Sequence, residues 1–196
     1  MRPRILMITD SLMLKDWQDN LQHKTFVSGE MITLIPDSYL MLKQGVVKSS
    51  TWTEEGIPIT LGYWGINDLI GQPMPFIQPY KVKCITAVEA WNVPLSQADK
   101  ITCFIQHHVQ QMEKILYILR SDKIYQRLRG ILVWLSNKFG RPVDTGHAIN
   151  LRLTHQDLAE LVGATRATVT KLINQLELEG FLSRPQRNTF IVHEEV

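Results

Sequence analysis

The chain has 196 residues, 44% hydrophobic and 20% charged, and its 11 glycines and 9 prolines are scattered rather than gathered in one tract. This is ordinary usage for one or two globular domains, and it excludes wholesale disorder, a collagen-like repeat and a disulfide-stapled miniprotein. A formal net charge of +2 names no polyanionic partner, and the two cysteines, Cys84 and Cys103, are too few for a four-thiolate metal centre.

No cleavable leader pattern follows Arg2 and Arg4, and no window stays uncharged and apolar for the length of a bilayer span. A cytoplasmic protein without membrane contact is expected. Residues 10–24 read as a short amphipathic helix, with Leu12, Trp17 and Leu21 on its apolar side, serving as a small lid on the neighbouring strand-rich region. From Thr25 to Pro94 the texture is that of short strands rich in Val, Ile, Thr, Tyr and Trp, punctuated by turn signals. Residues 39–43, 46–53 and 57–63 read as successive antiparallel strands, with Glu54-Glu55-Gly56 turning the last two into a hairpin. A β-sandwich or barrel is expected here.

Near Ser96 the apolar period becomes helical. Ile101, Ile105, His108, Met112, Ile115 and Leu119 are spaced 4, 3, 4, 3 and 4 residues apart, the a/d pattern of a coiled-coil seam. The stripe fits a helix lying on its own sheet, or a parallel two-helix dimer seam with His108 as a polar, register-setting member. Ser121 is read as the cap of a further helix running to Lys138 and stopped by Gly140. The chain carries net −1 up to residue 119 and net +3 beyond it.

Leu151-Arg152-Leu153 alternates like a short strand and leads into Thr154-His155-Gln156-Asp157, a T-x-x-D capping box that opens a helix. Gly163 ends that helix, Thr165 caps a second one (165–179), and Gly180 closes it. Two short helices joined by a Gly turn make a helix-turn-helix. Ala159 is small where the helices must approach, Gly163 stands where the turn needs positive φ, and Val169 and Leu172 follow at inward positions. Outward on the second helix remain Arg166, Ala167, Thr168, Thr170, Lys171 and Asn174, with no acid among them. Such a face suits phosphates and base edges in a major groove. Two strands around Pro185-Gln186-Arg187 add a wing whose tip offers Arg184 and Arg187 to a DNA backbone. The bland alternative is a solvated helical hairpin.

A β-roll, a long stripe helix and a C-terminal winged helix-turn-helix together resemble the cyclic-AMP receptor protein/FNR family of bacterial transcription regulators. The likeness is strongest over Leu151 to Leu182, "LRLTHQDLAELVGATRATVTKLINQLELEGFL", and weaker in "SGEMITLIPDSYLMLKQGVVK" and "LGYWGINDLIGQP". It implies an α+β chain. An antiparallel, cyclic-nucleotide-binding-like jelly roll (1–96) would act as effector domain. A helix (97–120) would form the homodimer seam through Ile101, Ile105, His108, Met112, Ile115 and Leu119, and a winged helix-turn-helix (121–196) would bind double-stranded DNA. Arg166 matches the arginine that starts the family's recognition helix, and Lys171 a second base-contacting position. Ala167 stands where many members have glutamate. Thr165 and Thr168 match positions that hold phosphate, and Thr154, His155 and Gln156 are candidate backbone contacts beside Thr170, Arg184 and Arg187. RNA polymerase is an implied partner.

The ligand region departs from the family pattern. Gly71-Gln72 stands in place of the usual Gly-Glu pair, and the stretch through Gln78 and Pro79 to Tyr80 lacks the arginine that neutralises a cyclic phosphate. A buried phosphate without its cation is costly, so control by cyclic AMP is not expected, and Gly71, Gln72, Gln78 and Pro79 mark a degenerate pocket. Lys81 or Lys83 would substitute only by pointing inward, which register decides. The pocket takes an apolar or oxo-acid metabolite, or stays empty. An iron-sulfur cluster is not expected, because no cysteine precedes Cys84; a haem ligand among Cys84, His23, His107 and His108 stays open. No cofactor and no metal site are expected. An enzyme is not expected either: the strand-rich segment has no histidine for a cupin-like metal, and no G-x-S-x-G, P-loop or H-E-x-x-H occurs. The rival reading is a metabolite-sensing or protein-docking module whose winged domain is an interaction surface.

Overall fold

A computed structural model of the chain describes residue 17 and residues 19–186 and 189–193. Strands β1 (Gln22–Phe26), β2 (Met31–Ile32), β3 (Ser38–Gln44), β4 (Val47–Trp52), β5 (Pro58–Trp64), β6 (Leu69–Gly71), β7 (Lys81–Cys84) and β8 (Val88–Pro94) form two four-stranded sheets, ordered β1-β8-β3-β6 and β2-β7-β4-β5. The pairs run antiparallel, as in the expected jelly roll. A 3₁₀ segment, Leu95–Ile101, leads into α1 (Thr102–Leu119), followed by α2 (Ile124–Phe139), β9 (Gly140–Val143), β10 (Gly146–Ile149), α3 (His155–Val162), α4 (Arg166–Leu178), β11 (Leu182–Ser183) and β12 (Ile191–His193). Described residues up to Thr51 with Leu61–Met112 form one compact unit, and Trp52–Thr60 with the described residues from Glu113 onward form the other.

Period-two alternation sets the register of the roll. Along β7, Lys81 and Lys83 are exposed while Val82 and Cys84 are buried, so neither lysine points inward. Burial pushes the Cys84 thiol up to about 11, with Glu30 adding to the effect. The centre of the roll joins Tyr39, Met41, Leu69 and Val93 to Ile101 and Phe104. Each such buried side chain contributes roughly 1.5–3 kcal/mol relative to exposure.

Three sequence expectations need correction. The N-terminal helix cannot run to residue 24, because Gln22–Phe26 pairs antiparallel with β8 and its β-branched and aromatic residues serve a sheet edge; most of 10–24 lies outside the described residues. Ser121 does not cap α2, which starts after Lys123 without a side-chain cap. Gly140 does stop α2, as expected, but from extended backbone with φ of −81°, and what it supplies is room, since a Cβ there would meet Ser136 O at 2.1 Å. Leu151–Leu153 is not a strand. The strands lie upstream as the β9–β10 hairpin, and Leu151 and Leu153 are buried core residues that flank exposed Arg152.

The stripe on α1 also divides. Ile101 and Ile115 are buried within their own chain, and the His108 ring lies 4.2 Å from that of Trp64. The row offered outward runs one residue away, through Val109, Met112 and Leu116, which are 59%, 40% and 61% exposed. Ile105 and Leu119, both half-buried, continue it at a/d spacing. The helix is thus apolar on two sides: of the expected seam residues Met112 is exposed and Leu119 half-buried, while Ile105 packs in part against the roll's core. Further along, Ile118 meets α2 so closely that a Cβ on Gly130 would lie 2.8 Å from its Cγ2.

Candidate nucleic-acid interface

The two helices that carry the expected interface are set by local chemistry. Thr154 Oγ1 accepts from the Asp157 backbone N–H at 3.0 Å while the Asp157 carboxylate accepts from the Thr154 N–H at 3.0 Å, a complete capping box for α3. Gly163 ends α3 with φ of +69°, and a Cβ there would come no nearer than 4.0 Å to Arg127 Nη1. Conformation rather than space therefore demands glycine. Gly163→Ala is expected to lower stability by about 1–2 kcal/mol through the left-handed penalty, read as a lower urea midpoint with unchanged slope; an unmoved midpoint would contradict it.

Thr165 caps α4 by accepting from the Thr168 N–H at 3.1 Å. Ala159, Val169, Ile173 and Leu176 are buried, and Leu172 is half-buried. That leaves Thr165, Arg166, Ala167, Lys171 and Asn174 exposed, with Thr168 and Thr170 half-buried beside them. At the start of α3, Thr154 and Gln156 are exposed and His155 is half-buried. His155 Nδ1 lies 2.8 Å from Thr170 Oγ1, joining the two helices. Gln156 donates to Glu160 Oε1 at 3.1 Å.

Residues 126–195 match the model of the Crp-like helix-turn-helix domain. The regulatory protein CysR of Synechococcus elongatus is 38% identical over 157 residues, which cover 79% of this chain and 76% of that protein. The chain belongs to the CRP/FNR family of transcription regulators. The global nitrogen regulator of Synechocystis is 29% identical over 174 residues, covering 81% of this chain and 76% of that one. Such relatives are transcription regulators with a helix-turn-helix DNA-binding domain, not enzymes, and that is the class of this chain. A CRP/FNR-family regulator of Thermus thermophilus shares the fold at 22% identity, with a TM-score of 0.71 over 88% of this chain and 94% of that chain. A cyclic-nucleotide-binding-domain protein of Listeria monocytogenes does so at 11% identity, with a TM-score of 0.77 over 97% and 98%. Among the described residues no helix is long and apolar enough to cross a membrane.

Within this family architecture Arg184 has an intramolecular task that sequence reasoning missed. Its guanidinium pairs with the Glu177 carboxylate and donates to Asn174 Oδ1 at 3.0 Å, tying the wing to the far half of α4. This pairing holds the Glu177 carboxyl below the usual carboxylate range. Arg187 lies outside the described residues. A second unanticipated cation is Arg127, whose guanidinium donates to Ser121 O at 2.7 Å and to Val162 O at 3.4 Å, placing positive charge at the C-terminal end of α3. The Tyr125 hydroxyl donates to the Glu179 carboxylate and anchors the start of α2 to the end of α4. In sequence, an arginine or tyrosine on a surface helix gives no sign of such partners 35 or 54 residues away.

The roll unit holds a cavity of about 210 Å³, with Ser49, Leu61, Trp64, Tyr80, His108 and Met112 among its lining. The expected pocket residues are not in that lining. Gly71 ends β6 opposite Tyr39, where a Cβ would meet Ser38 O at 2.5 Å, and Gln72, Gln78 and Pro79 are exposed. The loop instead turns Met74 to Ile77 and Tyr80 toward the cavity, and no lysine or arginine is among the described lining residues. Of the candidate haem ligands, His107 Nε2 sits 3.8 Å from Asp68 Oδ1 and His108 is stacked on Trp64. His23 Nε2 is 3.5 Å from Glu89 and Cys84 is buried.

Proposed function

We propose that the chain works as a homodimer that reads a two-fold symmetric DNA site, with 1–96 as effector-type domain, 97–120 as dimer helix and 121–196 as DNA-binding domain. The observation that carries this reading is the exposed, acid-free first turns of α4, where Arg166, Ala167 and Lys171 stand together on a capped helix. Arg166 and Lys171 supply donors for guanine edges, and the Ala167 methyl suits the methyl of thymine. Thr154, His155, Gln156, Thr165, Thr168 and Thr170 supply backbone contacts that set position. Arg184 supports the interface from within by holding the wing on α4. RNA polymerase is the partner through which DNA binding alters transcription, and the cytoplasm is the site of action.

The absence of a lysine or arginine among the described residues of the cavity lining supports control by something other than cyclic AMP. Selection of duplexes from a random pool, with no effector added and at a stated salt concentration, is expected to return a palindrome with half-sites about 34 Å apart. Added cyclic AMP is expected to leave its affinity unchanged. An unselected pool, with binding governed by salt alone, would overturn the reading.

A further inference from the structure

We infer that His155 holds a DNA phosphate only as an imidazolium, so that each half-site bound takes one proton from solution. The inference rests on the reading of α3 and α4 as the DNA interface and adds the charge state in which one contact forms. Thr170 Oγ1 has one hydrogen, which it donates to the Arg166 carbonyl oxygen at 2.9 Å, so toward His155 Nδ1, 2.8 Å away, it can only accept. Nδ1 therefore carries the proton in the neutral ring, and Nε2 is the lone-pair nitrogen. A neutral His155 would present an acceptor to a phosphate oxygen, which is also an acceptor. Only the doubly protonated ring can donate to both Thr170 and a phosphate.

The surroundings suit that exchange. His155 lines a cleft of about 440 Å³ with Thr154, Arg166, Glu177, Arg184 and Gln186, between the starts of both helices and the base of the wing. The charged groups facing it are Arg166 and Glu177 from α4 and Arg184 from the segment after β11. On its own helix Asp157 is engaged in the capping box. Glu177 is paired with Arg184, which leaves Arg166 without a carboxylate partner of its own among the described residues of the cleft. Burial, with Arg184 and Arg166, holds the imidazole below its ordinary value, so the free protein keeps it neutral near pH 7. A bound phosphate brings negative charge and an acceptor, both of which raise it. The bound value then lies above the free one, so the gain in affinity is full below the free value and is lost as pH rises through the bound value.

The test is equilibrium binding of the full chain to its selected duplex at fixed ionic strength, over a range of about pH 5.5 to 8 around the imidazole's ordinary value. Affinity is expected to rise on acidification by up to about tenfold per pH unit for each half-site, the slope of one linked proton. His155→Gln is expected to flatten that slope, and His155→Arg to stay both tight and flat. A slope shared by the wild type and His155→Gln would overturn the inference. Should His155→Gln fail to fold, NMR titration of the wild-type His155 ring with and without duplex decides: a rise on binding supports it, and an unchanged value overturns it. Loss of sequence-specific binding by the wild type at every pH would instead remove the DNA reading itself, and this inference with it.

Discussion

Replacing Val109 and Leu116 together by glutamate is expected to turn a dimer into a monomer whose fold is intact and whose grip on a palindromic site is lost. Both side chains are more than half exposed in the single chain, so the substitutions remove nothing from its own core. In a two-fold seam, however, each change occurs twice, and four carboxylates would enter an apolar contact. Burying a Val, Leu or Met there contributes about 1.5–3 kcal/mol per side chain, and an unpaired buried carboxylate reverses that gain. The monomer keeps one recognition helix and forfeits the linked second half-site, an avidity of roughly 10²–10⁴. Light scattering reads the mass, circular dichroism the fold, and titration of the duplex the affinity. A variant that stays dimeric with unaltered affinity would sink the outward row as the seam. Ile101→Glu should behave differently, since it buries a charge in the roll's own centre and unfolds the chain rather than dissociating it.

The second large effect is expected at Arg166. Its side chain is exposed at the first position of a helix that Thr165 caps, and truncation to alanine leaves helix and cap in place. Loss of a bidentate contact to a guanine edge costs about 1–3 kcal/mol, which is roughly 5- to 150-fold in affinity. The loss should fall on one base pair in each half-site. The selected motif would relax there and stay sharp elsewhere, whereas Thr165→Val would weaken binding to all sequences alike. An Arg166→Ala protein with an unchanged motif would place Arg166 outside base readout.

The helix-turn-helix was legible because its determinants are local. A capping box spans four residues, a left-handed glycine is required wherever the chain must turn after Val162, and Ala159 lies on the adjoining turn. The alternation of the roll was legible for the same reason, and it left only the direction of Lys81 and Lys83 to be settled. What escaped was non-local. Arg127 and Arg184 looked like surface cations until their partners came into view. The β9–β10 hairpin was hidden by Pro142 and Gly146, turn residues that here belong to strands. Which members of the stripe turn inward was hidden because helix α1 is apolar on two sides, and periodicity alone does not say that Ile101 and Ile115 are the buried ones. The cavity drew its walls from a loop, two strands and a helix, a combination no linear pattern contains.

The Arg184 tether has an evolutionary consequence. With Asn174 and Glu177 engaged by the wing, the proposed readout by α4 narrows to positions 166, 167 and 171, all on its first two turns. Those positions are exposed, so exchanging them alters little of what holds the domain together. A duplicated copy of this gene could therefore move to a new set of promoters by one or two substitutions, with its scaffold already paid for by the ancestor.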